Sequence, residues 1–106
     1  DLPVARLDLA RVGTLTFEAP DETRFPALRL AREVAQMGGL MGAAFNGAKE
    51  AALDLFMARK IGFCDMAERV ELAITKISAE SSLTSATVNL ENVAEMDQLA
   101  RRLVKQ

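Results

Sequence analysis

Apolar and polar positions divide the chain into one irregular stretch followed by stretches of helical period. In the first 18 residues, Val4, Leu7, Leu9, Val12, Leu15 and Phe17 are separated by polar residues, and Gly13 interrupts the run. Strict alternation holds only over Leu15-Thr16-Phe17-Glu18, the period of a half-buried extended segment. The pattern predicts an extended arm with one short strand at Thr14–Phe17. A lone strand is not stable, so the arm must lie against the helices or against another part of the protein. Pro20-Asp21-Glu22-Thr23 reads as a turn. Phe25 precedes a proline and is pushed away from helical geometry, whereas the ring of Pro26 is already set for a first helical turn.

Four helices follow. The first is predicted over Pro26–Met37, with Leu28, Ala31, Val34 and Ala35 as its apolar stripe, Leu30 and Met37 flanking it, and Gly38-Gly39 as its stop. The second is predicted over Leu40–Lys60 on the spacing of Met41, Ala44, Phe45, Ala48, Ala52, Leu55 and Phe56. Its first half is built from small residues, Gly42, Ala43, Ala44, Gly47, Ala48, Ala51 and Ala52, which let a neighbouring helix approach closely. That places it at the centre of the bundle. Ile61-Gly62-Phe63-Cys64 is a tight connection. Asp65 is expected to cap a third helix over Met66–Ile77, with Glu68 at its third position and Met66, Val70, Ala73, Ile74 and Ile77 as its apolar face. Ser78–Ser85 reads as a loop and Thr87-Val88 as extended. Asn89 is expected to cap a fourth helix over Leu90–Val104 with a stripe of Val93, Met96, Leu99, Ala100 and Leu103. The predicted fold is all-α: a four-helix bundle-like domain over residues 21–106, preceded by an extended linker arm over 1–20.

Composition narrows the function. The chain has 106 residues, half of them apolar, enough for one globular core. Thirteen basic against fifteen acidic residues give a net charge of −2 with no basic patch, which speaks against nucleic acid as a partner. No apolar run approaches the ~20 residues of a membrane span, and no signal peptide is evident. The single cysteine, Cys64, excludes an intrachain disulfide and fits a reducing, cytoplasmic compartment. Histidine is absent, which removes the commonest general base and metal ligand. The chain opens on Asp1 rather than methionine, so it is expected to be processed or cut from something longer.

The same stretches carry a resemblance. Leu7-Asp8-Leu9, Leu15-Thr16-Phe17-Glu18-Ala19-Pro20-Asp21 and Arg24-Phe25-Pro26-Ala27-Leu28-Arg29-Leu30-Ala31 are similar to the C-terminal region of the 1-deoxy-D-xylulose 5-phosphate reductoisomerase family. Phe45-Asn46-Gly47-Ala48-Lys49-Glu50 resembles that family's Asn-Ala-Ala-Asn-Glu box, with Gly47 and Lys49 departing from it. Ile61-Gly62-Phe63-Cys64-Asp65-Met66 resembles its Ile-x-Phe-x-Asp-Ile box. Order and spacing match along about the first two thirds of the chain; from Ser78 on only the helical pattern matches. The resemblance implies one region of an enzyme that makes 2-C-methyl-D-erythritol 4-phosphate in the non-mevalonate isoprenoid pathway. It also implies NADPH and Mn²⁺ or Mg²⁺ as cofactors, a homodimer, and nucleotide, metal and substrate groups that lie upstream of the matched region. The cut from something longer is favoured accordingly.

Each candidate for chemistry has a structural alternative. Gly38-Gly39-Leu40-Met41-Gly42 precedes a helix and would offer backbone N–H groups to a phosphate, but it lacks the lysine and spacing of a P-loop, and a helix stop explains it better. Glu50 and Asp54 share a helix face, and Asp65, Glu68 and Glu71 another; such carboxylates bind divalent ions, but capping and a solvated face are the default. Asn46 and Glu50 either hydrogen-bond a neighbouring loop, such as the Pro20–Arg24 corner, or contact a catalytic domain. Lys49 points elsewhere on the helix. Cys64 is expected to be a small buried hydrophobe. No catalytic, cofactor-binding or metal residue is assigned in this chain, which alone is expected to be inactive. Its partners would be the other domains of its own polypeptide, braced by the bundle and joined through the arm. Leu15–Phe17 is expected to stay against the first helix, and Asp1–Leu9 to be free or borrowed by a neighbouring copy. The rival reading is a stand-alone helical interaction module.

Overall fold

The computed structural model describes residues 2–106. Among them are six helices and no strand: α1 (Leu9–Val12), α2 (Pro26–Met37), α3 (Met41–Met57), α4 (Phe63–Ser78), α5 (Ser81–Thr84) and α6 (Leu90–Lys105). Four of these are long and form the expected bundle; α1 and α5 are single turns. The helix predicted at 26–37 has the predicted ends. Pro26 occupies its first turn. Asp21 holds the corner before it, its carboxylate accepting from the backbone N–H groups of Thr23 and Arg24 at 3.0 Å each.

The core is a single cluster that takes Leu30 and Val34 from α2, Leu40 from the connection, and Met41, Ala44, Ala48, Ala51 and Ala52 from α3. It is completed by Val70, Ala73, Ile74 and Ile77 from α4 and Met96, Ala100 and Val104 from α6. α3 lies against α2, α4 and α6 and is the centre of the bundle. Its side of the core is alanine apart from Met41, and Ala44, Ala48 and Ala51 are fully buried. Small side chains bring the α6 backbone very near: a Cβ added to Gly47 would stand 2.8 Å from the carbonyl oxygen of Asp97. Gly47 therefore stands where the two helices approach too closely for a larger residue.

Helix ends follow local chemistry. Asn89 caps α6 as expected, accepting from the N–H of Asn92 at 2.8 Å. At the end of α3, Arg59 sits at φ 57°, its N–H bonded to the Phe56 carbonyl at 2.8 Å and the Lys60 N–H to the Leu55 carbonyl at 2.9 Å. This is a Schellman stop with arginine in the place that favours glycine.

Several expectations are corrected. The strand at Thr14–Phe17 does not form; the chain makes one turn of helix earlier, at Leu9–Val12, where Asp8 accepts from the Ala10 N–H at 3.0 Å. Alternation without a partner strand has nothing to pair with. Leu15–Phe17 does not lie on the bundle: Phe17 is 85% exposed, and Leu2, Val4, Leu7, Leu9, Val12 and Leu15 are exposed too. Asp1, the first residue of the stretch expected to be free or borrowed, lies outside the described residues. The third long helix starts at Phe63 rather than Met66. Extended Gly62 is its N-cap, and Asp65 is its third residue, reaching back to the Gly62 N–H at 2.7 Å; Glu68 takes no part in that cap. The stretch Ser78–Ser85 is not loop throughout but includes α5. In α2 the core residues are Leu30 and Val34, while Leu28 and Ala35 are exposed. That turn of the stripe leaves Arg29 at the rim, donating to Glu33 at 2.9 Å and to Glu71 of α4 at 2.8 Å.

The radius of gyration is 17.8 Å, against about 13 Å for a compact chain of this length. The excess comes from residues 2–20, which run outside the bundle; from Glu22, which pairs with Arg32 of α2, the chain is against it.

Candidate functional site

The box that carried the resemblance, Asn46 to Glu50, lies on the face of α3 that meets α6. The alanines between the helices bring their backbones close, so the polar residues at the edge of that contact must pair across it. Asn46 and Glu50 are one turn apart, and the Asn46 amide donates to the Glu50 carboxylate at 3.2 Å. Arg101 of α6 is one turn after Asp97; its Nε donates to Asp97 at 2.7 Å and its Nη2 to the other oxygen of Glu50. One guanidinium thus holds two carboxylates, one from each helix, directly beside the Gly47–Asp97 approach.

The charges are fixed in consequence. Hydrogen bonds from Arg101 and Asn46, with the nearby positive charge, hold the Glu50 carboxyl below its ordinary pKa, partly opposed by Asp97. Hydrogen bonds to Asp97 and Glu50 raise the Arg101 pKa in turn. An ionised carboxylate locked on a permanent cation neither gives nor takes a proton near neutrality. The arrangement suits a clamp between helices, and it does not suit acid–base catalysis. The expectation that Asn46 and Glu50 bond the Pro20–Arg24 corner is corrected: they bond each other and α6. Arg101 and Asp97 were not singled out from the sequence; their i, i+4 spacing on the predicted fourth helix was the available signal.

The other candidates do not come together. Gly38 and Gly39 both have positive φ, and the Gly38 N–H bonds the Val34 carbonyl at 3.1 Å, so the glycine pair is the stop of α2. Glu50 is taken by Arg101, while Asp54 is exposed on its own turn. Asp65 caps α4 and Glu71 pairs with Arg29, so the acidic set of α4 is dispersed. Among the described residues no group of three metal-ligating side chains forms. Cys64 is exposed rather than buried, because α4 begins before it and turns it outward at the second helical position. An open hollow of about 370 Å³ between α4 and the end of α6 is lined by Asp65, Arg69, Leu72, Lys76 and Leu103. Arg69 closes its end by donating to the Val104 carbonyl at 2.8 Å. No described helix is long and apolar enough to cross a membrane.

A helical bundle of this kind has counterparts among known proteins. The family described as the DXP reductoisomerase C-terminal domain matches residues 1–103. The chain belongs to that family. It is 59% identical over 105 residues to the 1-deoxy-D-xylulose 5-phosphate reductoisomerase of Ruegeria sp., covering 99% of this chain and 27% of that protein. It is 56% identical over 106 residues to the reductoisomerase of Cereibacter sphaeroides, covering all of this chain and 27% of that protein. The solved reductoisomerase of Zymomonas mobilis in complex with NADPH superposes with a TM-score of 0.80 at 38% identity, over 99% of this chain and 26% of that one. The reductoisomerase C-terminal domain is therefore an all-helical unit here, and the chain spans about a quarter of the length of the relatives it matches.

Proposed function

We propose that this chain is the C-terminal structural domain of a 1-deoxy-D-xylulose 5-phosphate reductoisomerase. The carrying observation is the match of residues 1–103 to the C-terminal-domain family, together with relatives of which the chain covers only about a quarter. The whole polypeptide converts 1-deoxy-D-xylulose 5-phosphate to 2-C-methyl-D-erythritol 4-phosphate with NADPH, in the non-mevalonate route to isoprenoids. It works in the cytoplasm, as a homodimer. Residues 1–20 are the arm that joins the bundle, 21–106, to the domains before it.

Within that reaction the chain supplies no catalytic, cofactor or metal residue. Among the described residues neither NADPH nor Mn²⁺ or Mg²⁺ finds a fitting donor set. The glycine pair is committed to ending α2, and the carboxylates best placed to bind a cation are already held by Arg101, Arg29 and the Gly62 N–H. The bundle's part is mechanical: a rigid body, clamped at the α3–α6 contact, against which the preceding domains are held. Positioning of this kind acts on the reaction through geometry, and small misplacements are costly.

The test joins the first three quarters of the Ruegeria reductoisomerase to this chain and follows NADPH oxidation with substrate and Mn²⁺. The joined polypeptide is expected to turn over, and the chain alone to match a no-protein blank. Turnover by the chain alone, or none by the joined polypeptide, contradicts the reading.

A further inference from the structure

α3 and α4 meet at a corner whose outer surface is apolar. Leu53, Phe56 and Met57 lie at i, i+3 and i+4 on one face of α3. The Phe63 ring, at the first position of α4, sits edge-on to Phe56 with centroids 5.8 Å apart. Met57 is 72% exposed, Phe63 71% and Leu53 49%. The corner is rigid, because the Schellman stop of α3 and the Asp65–Gly62 cap of α4 fix both helix ends within a few residues. Arg59 and Lys60 form its edge, exposed and outside the ion pairs of the described residues. Among the described residues the ion pairs are Arg29 with Glu33 and Glu71, Arg32 with Glu22, and Arg101 with Glu50 and Asp97.

We propose that this corner is the seat on which the preceding part of the same polypeptide docks, through an apolar surface with carboxylates at its edge; the inference rests on the reading of the chain as a C-terminal domain. Three arguments select that occupant. The relatives extend for nearly three times the length of this chain beyond the matched part, so on that reading a large body lies beside the bundle. The arm from Leu2 to Pro20 reaches up to about 60 Å at ~3.3 Å per residue. That exceeds the 53 Å longest dimension of the molecule, so the tether leaves the choice of face to surface chemistry. Finally, the corner is small. A free partner needs an interface on the order of 1,000 Å², whereas a tethered one meets its site at an effective concentration near millimolar and holds with less.

Hydroxyl-radical footprinting of Met57 and Phe63 tests this in the isolated chain and in the joined polypeptide described above. Docking predicts oxidation roughly tenfold slower in the joined polypeptide, as for residues at the dry centre of an interface, and concentration-independent oxidation in the isolated chain. Equal rates in the two polypeptides overturn the inference. Protection that grows with concentration of the isolated chain also overturns it, in favour of a second copy. NADPH oxidation by the same joined polypeptide separates the two readings. Turnover with Met57 and Phe63 still open sinks the seat alone; shielding without turnover keeps the seat and sinks the enzymatic reading.

Discussion

The arm and α3 are both rich in apolar residues, and only one of them is buried. In α3 the apolar positions recur at three and four residues, so one face collects Met41, Ala44, Ala48, Ala51 and Ala52 and meets α4 and α6 directly. In the arm, Leu2, Val4, Leu7, Leu9, Val12, Leu15 and Phe17 follow no helical period and find no neighbouring strand. Hydrophobicity supplies a drive to leave water, but burial needs a periodic surface and a complementary one within reach. For α3 both are in the chain. For the arm neither is met among the described residues; if the chain is the C-terminal domain proposed above, the complementary surface is expected on the preceding domains.

The widest contrast between the two regions is a pair of truncations. Ile77→Ala opens a cavity in a fully buried site and should cost about 2–5 kcal/mol in denaturant melts, whereas Phe17→Ala in the arm should change stability by less than ~0.5 kcal/mol. Equal losses would erase the distinction. Next in size, Ala48→Leu forces a large side chain into a fully buried site of α3 and should cost roughly 1–3 kcal/mol; an unmoved midpoint would mean α3 is packed less closely than described. Arg59→Gly works in the opposite direction. It relieves a left-handed non-glycine residue at the α3 stop and should stabilise by about 0.5–1 kcal/mol. Loss of stability there would mean the arginine side chain carries a contact.

The smallest effect concerns the clamp. Because the Glu50 pKa lies below its ordinary value when folded, the stability Glu50 contributes is present above the unfolded carboxyl range and is lost as pH falls through the folded pKa. Glu50→Gln should therefore melt slightly below the parent at pH 7, with the difference closing in acid. The pair is solvent-exposed, so the gap should also shrink with added salt. A difference that persists at pH 2 would assign the effect to packing.

Much of the bundle was legible in the sequence because helical period is a local signal. Pro26 and Gly38 bracket α2, Asn89 opens α6, and small residues mark α3 as the centre, each for a reason contained in a few neighbouring residues. What was not legible depends on partners far apart in the chain. Glu50 meets Arg101 only after α3 and α6 pack, so the box was set against the wrong neighbour. The turn of α2 about its axis, which buries Leu30 in place of Leu28, is decided by the helices it rests on. The start of α4 moved because Gly62 caps it with Asp65 reaching back, a pairing that competes with Asp65 itself as the cap. Alternation at Leu15–Glu18 suggested a strand, and a strand requires a partner that these residues do not contain.

The central claim is that the arm's apolar residues belong against the domains that precede it. Amide hydrogen exchange read over residues 2–20, in the isolated chain and in the polypeptide joined to the Ruegeria domains, tests it most directly. The account predicts that in the isolated chain these amides exchange within the first time point while those of α3 stay protected, and that in the joined polypeptide the arm amides slow by orders of magnitude. An arm that exchanges equally fast in both would contradict it.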